Sequence, residues 1–212
     1  MSASSRALPV AIVHLDESCL GNGRDGKTPG GAGGLIEVRT AQGIQRRDVF
    51  LSDPDTTNKR MALLGAAEVL RLMAGKGRRL RALLVSDSEY FVKGMREWVP
   101  GWIARSWRRK AGPIENLELW QALVEAAALH DTQFTWVRGH AGHAKNEYVN
   151  DLAVLAAREQ RTSDGAEPSE FATWLEGQRG KGKYLEYDPD AAFDALARRV
   201  ASEERLPLAL VE

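Results

Sequence analysis

The sequence predicts an α/β fold, a mixed sheet with helices packed on it. Three observations carry that reading. Short β-rich apolar runs recur through the first two thirds of the chain, and helix-patterned segments separate the later ones. The length of 212 residues suits one such domain plus an appendage.

The elements follow in order. "PVAIVHLD" (Pro9–Asp16) is a short β-rich run that ends in an acid. "GRDGKTPGGAGG" (Gly23–Gly34) reads as a loop, because Gly and Pro punctuate it throughout. "LIEVRT" and "QRRDVFL" make a second and third strand, joined through "AQG" as a hairpin. Thr57 to Met73 is helical: Thr56 or Thr57 caps it, and Met61, Leu64, Ala67 and Leu70 mark an apolar face. "RALLVSD" (Arg81–Asp87) is a compact apolar strand, again ending in an acid. Helical stretches near 88–98 and 114–130 flank a bend rich in Trp and Arg. "QFTWVRG" (Gln133–Gly139) is a fifth strand and Asn146–Glu159 a further helix. The predicted order is β-β-β-α-β-α-α-β-α.

From Ser163 the composition shifts to Gly, Pro and charge, with one helix predicted over Asp190–Glu203. The reading is a domain over residues 1–162 and an acidic, aromatic-containing extension over 163–212. Phe171, Trp174, Leu175, Tyr184, Tyr187 and Phe193 are many large side chains for a free tail, so the extension is expected to pack on the domain. The alternative is that it screens a basic surface.

Composition narrows the setting. Hydrophobic content of 43% with 27% charged residues is ordinary for a soluble globular protein. The single Cys19 excludes an internal disulfide framework and suits a reducing cytoplasm. No stretch approaches the roughly 20 apolar residues of a membrane helix. The expected setting is cytoplasmic, with no membrane and no protein partner, the chain acting as a monomer. Net charge is zero, yet its distribution is uneven. Residues 93–110 carry six Lys or Arg against Glu97 alone, while residues 163–212 carry eleven acids against six bases.

Asp16 and Asp87 end two apolar strands. If those strands are neighbours in register, the acids project from one sheet edge. Such a pair suits Mg²⁺, which takes few protein oxygens and keeps its remaining shell for water and phosphate. Alone, each acid is equally well read as a solvated strand end or a helix cap.

The neighbouring motifs favour the metal reading. "LDESCLGN", "TTNKRM", "VSDSEY" and "WVRGHAGHAKNEYVNDLA" occur in this order over residues 9–160. Together they resemble type 1 ribonuclease H, which cuts the RNA strand of RNA–DNA hybrids. The resemblance implies a ribonuclease H-like fold, with a five-stranded mixed sheet flanked by helices, and a site of four metal-binding acids and a mobile histidine. Asp16 falls on the first acid, Asp87 on the third, and His140 on the histidine that assists proton transfer. Two Mg²⁺ ions, with Mn²⁺ as a substitute, are implied when substrate is bound.

Two positions depart from the family pattern. Ala62 stands where the second acid is expected, and Asn150 where the fourth is. An amide carbonyl still ligates a hard cation, so Asn150 is the milder change. The resemblance implies that the second acid contacts metal and orients the hybrid's ribose hydroxyl, and a methyl group does neither. Glu68 lies on another face of the helix, and Glu17, next to Asp16 on a strand, points to the opposite face. Neither they nor Glu89 and Glu147 read as a replacement. Ala62 then fits a chain altered to trap substrate, a natural binder without activity, or a weak enzyme with shifted ligands.

Substrate contacts are expected from three places. The resemblance places Cys19 and Asn22 near the RNA strand. Thr57 and Asn58, at a helix N-terminus, make a pocket for a DNA phosphate. In the bend, Trp98, Trp102 and Trp107 interleave with Arg105, Arg108, Arg109 and Lys110, a pattern that neutralises phosphates and stacks on sugars or bases. The expected function is metal-dependent endonucleolytic hydrolysis of RNA in hybrids, impaired by Ala62. The main alternative is a non-catalytic hybrid-binding protein on the same fold; a 3′–5′ exonuclease, with no use for the Trp-rich bend, ranks below both.

Overall fold

A computed structural model describes residues 8–21, 28–139, 141–202 and 206–208. Asn22, His140 and residues 23–27 of the glycine-rich loop lie outside these. Three strands open the chain: β1 (Val10–Cys19), β2 (Gly30–Thr40) and β3 (Gly43–Asp53). Next come α1 (Asn58–Met73) and β4 (Arg81–Ser86). Helix α2 (Glu89–Lys93) runs through a π-turn at Gly94–Trp98 into α3 (Val99–Ile103). Then follow α4 (Leu117–Ala127), β5 (Asp131–Trp136) and α5 (Ala144–Glu159). The extension adds β6 (Glu167–Pro168), α6 (Phe171–Arg179) and α7 (Pro189–Ala201).

The sheet order is β5-β4-β1-β2-β3-β6. β1 pairs parallel with β4, and β4 with β5, while β2, β3 and β6 run antiparallel to their neighbours. The sheet has six strands where five are expected from sequence. The sixth is two residues pairing with Arg47 and Asp48, too short to leave a pattern, and it covers part of the otherwise open edge of β3.

The glycine-rich run is a second difference. Gly30–Gly34 belong to strand β2, not to a loop. An ideal Cβ at Gly31 would lie 2.2 Å from Ala153 O, and one at Gly33 2.3 Å from Val149 O. The glycines are there because α5 packs directly on this strand's backbone.

Strand alternation splits the core into two layers. Ala11, Val13 and Leu15 of β1 pack with Leu63, Leu70, Phe91, Trp120 and Leu123, on the side of α1 and α4. On the other side Ile12, Leu83, Val85 and Val137 pack with Phe193, Val200 and Leu206 of the extension. Beside them Leu35 and Val149 pack with Phe171 and Leu175. Phe171 and Phe193 are each 1% exposed, so the extension completes the second layer, as its aromatics suggested. The extension also holds the π-turn: Arg96 donates to Leu206 O and Pro207 O. That cation is thereby satisfied within the protein. No helix among the described residues is long and apolar enough to cross a membrane.

Candidate active site

The last paired residues of β1 and β4 are Leu15 and Ser86. Asp16 and Asp87 are one step beyond, side by side at one edge of the sheet. Asp16 is 8% exposed; its Oδ1 accepts from Glu17 N at 2.7 Å and its Oδ2 from Asn146 Nδ2 at 3.2 Å. Burial first, then the charges of Asp87 and Glu17, push its carboxyl up to about 8. Asp87 is pressed by the loop after β5: an ideal Cβ at Gly139 would lie 2.2 Å from Asp87 Oδ2, so only glycine lets that loop pass. Trp136 Nε1 donates to Asp87 O at 2.8 Å, tying the end of β5 to the same point.

Glu17 belongs to this cluster, contrary to the expectation from sequence. Its carboxyl is also pushed up to about 8, by burial and then by the charge of Asp87, with a Ser88 hydrogen bond opposing. It does point to the face opposite Asp16, but that face is the one α1 covers. Glu17 pairs with Ala32, and an ideal Cβ at Gly65 of α1 would meet the Ala32 methyl at 2.7 Å. Cys19, two residues on, lies with Met61 against Gly30. Ala62, 7% exposed, falls in the turn of α1 between Met61 and Gly65. Glu17 and Ala62 are thus both on the α1 side of the sheet.

Helix α5 brings its amides from the other side. Asn146 and Asn150 are one helical turn apart on one face, and Asn146 reaches Asp16. Asn146 is a further polar residue at the cluster, signalled in the sequence only by its i,i+4 spacing from Asn150. Asp151 is turned away, accepting from Trp174 Nε1 at 2.8 Å, and Glu147 lies 3.7 Å from Lys183 Nζ. Both acids serve the extension.

The substrate residues divide. Thr57 caps α1, its Oγ1 accepting from Arg60 N at 3.3 Å, and Thr57 and Asn58 are both exposed. Cys19 is half-buried, with its thiol pushed up to about 11 by burial and then by Glu17 and Asp53. Arg105, Arg108, Arg109 and Lys110 are exposed, and Trp98 and Trp107 half-buried. Trp102, 8% exposed, packs 5.6 Å from Trp120 and beside Trp98 and Trp107, so most of it builds the protrusion while one edge still lines a cavity there. Trp98, Arg105 and Arg109 line a cavity of about 360 Å³ above it, which Glu97 and Glu115 also border.

A mixed sheet with carboxylates gathered on β1 beside the end of β4 defines the ribonuclease H-like class. The family model described as RNase H matches residues 9–158, and the chain belongs to that family. A Ribonuclease H of Pelobacter propionicus is 40% identical over 159 residues, spanning 74% of this chain and 90% of that protein. One of Gluconobacter oxydans is 38% identical over 160 residues, spanning 75% and 99%. Among solved structures, LC9-RNase H1 is 50% identical at a TM-score of 0.75, covering 81% of this chain and 82% of that one. It is described as a type 1 RNase H with the type 2 active-site motif. A foamy viral protease-reverse transcriptase shares the fold at a TM-score of 0.60 and 12% identity, over 75% of this chain and 22% of that one.

Proposed function

We propose that this chain hydrolyses the RNA strand of RNA–DNA hybrids with divalent metal, and that Glu17 supplies the acid absent at Ala62. The observation that carries this is the burial of Asp16 and Glu17 beside Asp87, which pushes both carboxyls up to about 8, by burial first and then by neighbouring charge. Carboxylates crowded so that they resist ionising together are relieved by a divalent cation. The donor set suits Mg²⁺ or Mn²⁺: hard oxygens, with Asn150 one helical turn from Asn146 on α5. Among the described residues no three acidic, histidine or cysteine side chains already form a cage. Mg²⁺ takes only one or two carboxylates and leaves room for water and phosphate. On this reading Ala62 makes room for Glu17. LC9-RNase H1, with its type 2 motif, supports the idea that this fold accepts a rearranged acid set.

Asp16, Glu17 and Asp87 would hold the metal, two ions being expected with substrate. Bound there, they would activate the attacking water and stabilise the leaving 3′ oxygen. The protein's own groups do the rest. Thr57 and the first N–H groups of α1 seat a DNA phosphate. Arg105, Arg108, Arg109 and Lys110 neutralise further phosphates, with Trp98 and Trp107 alongside. Asn146 orients Asp16 from behind. His140 takes up or delivers a proton during turnover.

Cleavage of a labelled hybrid in Mg²⁺ or Mn²⁺ tests this with four proteins: the chain itself, Glu17→Gln, Ala62→Glu and the double variant. The chain should cut, Glu17→Gln should lose about 100-fold or more, and adding Ala62→Glu to it should recover part of the loss. If Glu17→Gln cuts as well as the parent, Glu17 has no place in the site. If the parent binds hybrid without cutting and Ala62→Glu alone gains activity, the hybrid-binding alternative holds.

A further inference from the structure

The end of the sheet away from the carboxylates carries an open groove of about 440 Å³ on the α1 face. Val38, on its floor, pairs with Ala11, five residues before Asp16 on β1. The groove therefore lies about 17 Å from the proposed metal site, by the rise of a strand. The reaction proposed above makes no use of it.

Its floor is apolar. Ile36 and Val38 of β2, Leu72 and Met73 at the end of α1, and Leu80 before β4 form it. Val38 and Leu72 are only half-buried, so part of this apolar surface still meets solvent. Two cations border the floor. Arg47 comes from β3, where it pairs with Ile36, and Arg78 from the turn that leads into β4. Neither makes a hydrogen bond, ion pair or ring contact among the described residues. The residue before Arg47 makes the contrast. Arg46 points to the opposite face, where Glu37 and Asp190 hold it. No carboxylate lines the groove among the described residues. The bordering run "GKGRRL" (Gly75–Leu80) holds three Lys or Arg and no acid. The C-terminal end of α1 adds only about half a negative charge, which two guanidiniums outweigh.

We propose that this groove captures the C-terminal end of a partner protein, a chain that finishes in a large apolar residue behind acidic ones. A guanidinium fork matches a carboxylate, which it holds through two parallel hydrogen bonds. A free chain terminus carries its carboxylate and its last side chain on one residue. In an internal extended segment, adjacent side chains point to opposite sides, so an acid and its apolar neighbour do not both face the groove. Arg47 and Arg78 take the terminal carboxylate, the floor takes the side chain, and the basic run meets the preceding acids. Docking there leaves the carboxylate cluster open, so partner and hybrid can be held at once.

Fluorescence anisotropy tests this with an N-terminally labelled peptide, Ser-Asp-Asp-Gly-Asp-Leu-Phe with a free C-terminus, titrated with the full chain. Saturable one-to-one binding is expected. Arg47→Ala and Arg78→Ala should each weaken it about tenfold or more, as should amidating the peptide or ending it in Ser. Neither arginine has an internal bond to lose, and circular dichroism checks that both variants fold. Arg158→Ala removes the same charge from an exposed position on α5, across the sheet, and should leave binding unchanged. No saturable binding, or undiminished binding by both groove variants, would overturn the site. Equal binding of the amidated peptide would overturn terminus capture, leaving only general attraction of acids. Decanoate binding more tightly than the peptide would overturn the protein partner in favour of a lipid carboxylate.

Discussion

The proton content of the carboxylate cluster makes the role of Glu17 measurable without any turnover. Asp16 and Glu17 both hold protons up to about pH 8. A divalent cation that binds between them at pH 7 must displace both, and each displaced proton costs about 1.4 kcal/mol per unit by which the pH lies below the group's value. Apparent affinity for Mn²⁺ should therefore climb about 100-fold between pH 6 and pH 7 and level off above about pH 8. The two acids titrate as a coupled pair, so the slope identifies the number of protons better than either value alone. Glu17→Gln removes one titrating group and its pressure on Asp16. The slope should fall from two protons towards one, and the plateau should begin at lower pH. At pH 8.5 the variant should bind about 10- to 100-fold more weakly, having lost a ligand, whereas at pH 6 the difference should shrink. Calorimetry of Mn²⁺ binding to metal-free protein, in two buffers of different ionisation enthalpy, counts the protons released. Equal proton release from the parent and from Glu17→Gln would refute the placement of Glu17 in the metal site.

Metal-free stability should move the same way. The folded values of Asp16 and Glu17 lie above those of an unfolded chain, so the folded state binds extra protons between about pH 4 and pH 8. Thermal unfolding should show stability falling as pH rises through that window, and saturating Mg²⁺ should restore it at pH 8.5; a flat profile would remove the charge pressure from the argument. Single Ala substitutions at Arg105, Arg108, Arg109 or Lys110 should each lower the salt dependence of hybrid binding by about one unit of slope, with kcat little changed. Trp102→Ala should act differently, costing about 3–5 kcal/mol of stability in a denaturant titration because it opens a core. Phe193→Ala should cost a similar amount, about 3–5 kcal/mol, and an unchanged unfolding midpoint would mean that the extension does not support the sheet.

Most of the sheet and its helices are legible in the sequence because apolar periodicity and turn chemistry agree there. β1, β4, α1 and α5 fall within a few residues of their expected bounds. Legibility fails where a long-range contact overrides local preference. Gly30–Gly34 read as loop by every local rule, yet α5 packs on them and makes a strand of them. Helix α6 and strand β6 were hidden for a related reason. Each is short and held from outside: β6 by pairing with Arg47 and Asp48 of β3, α6 by Trp174 donating to Asp151 of α5. A bend full of Trp next to Arg looks like a stacking surface, but sequence does not say which indole faces inward. Trp120, more than ten residues away, decides it by taking Trp102 as its neighbour.

The acid at Glu17 shows where reasoning on one element stops. Alternation along a strand correctly sends Asp16 and Glu17 to opposite faces, and it was natural to conclude that they cannot serve one site. That conclusion assumes the site lies on one face of the sheet. On the proposed reading the site spans both faces, with α5 meeting Asp16 on one, Glu17 turned to the α1 side on the other, and Asp87 within reach of both charges. At a sheet edge, opposite faces converge. On that reading, an acid donated from β1 would do the work of one donated from α1.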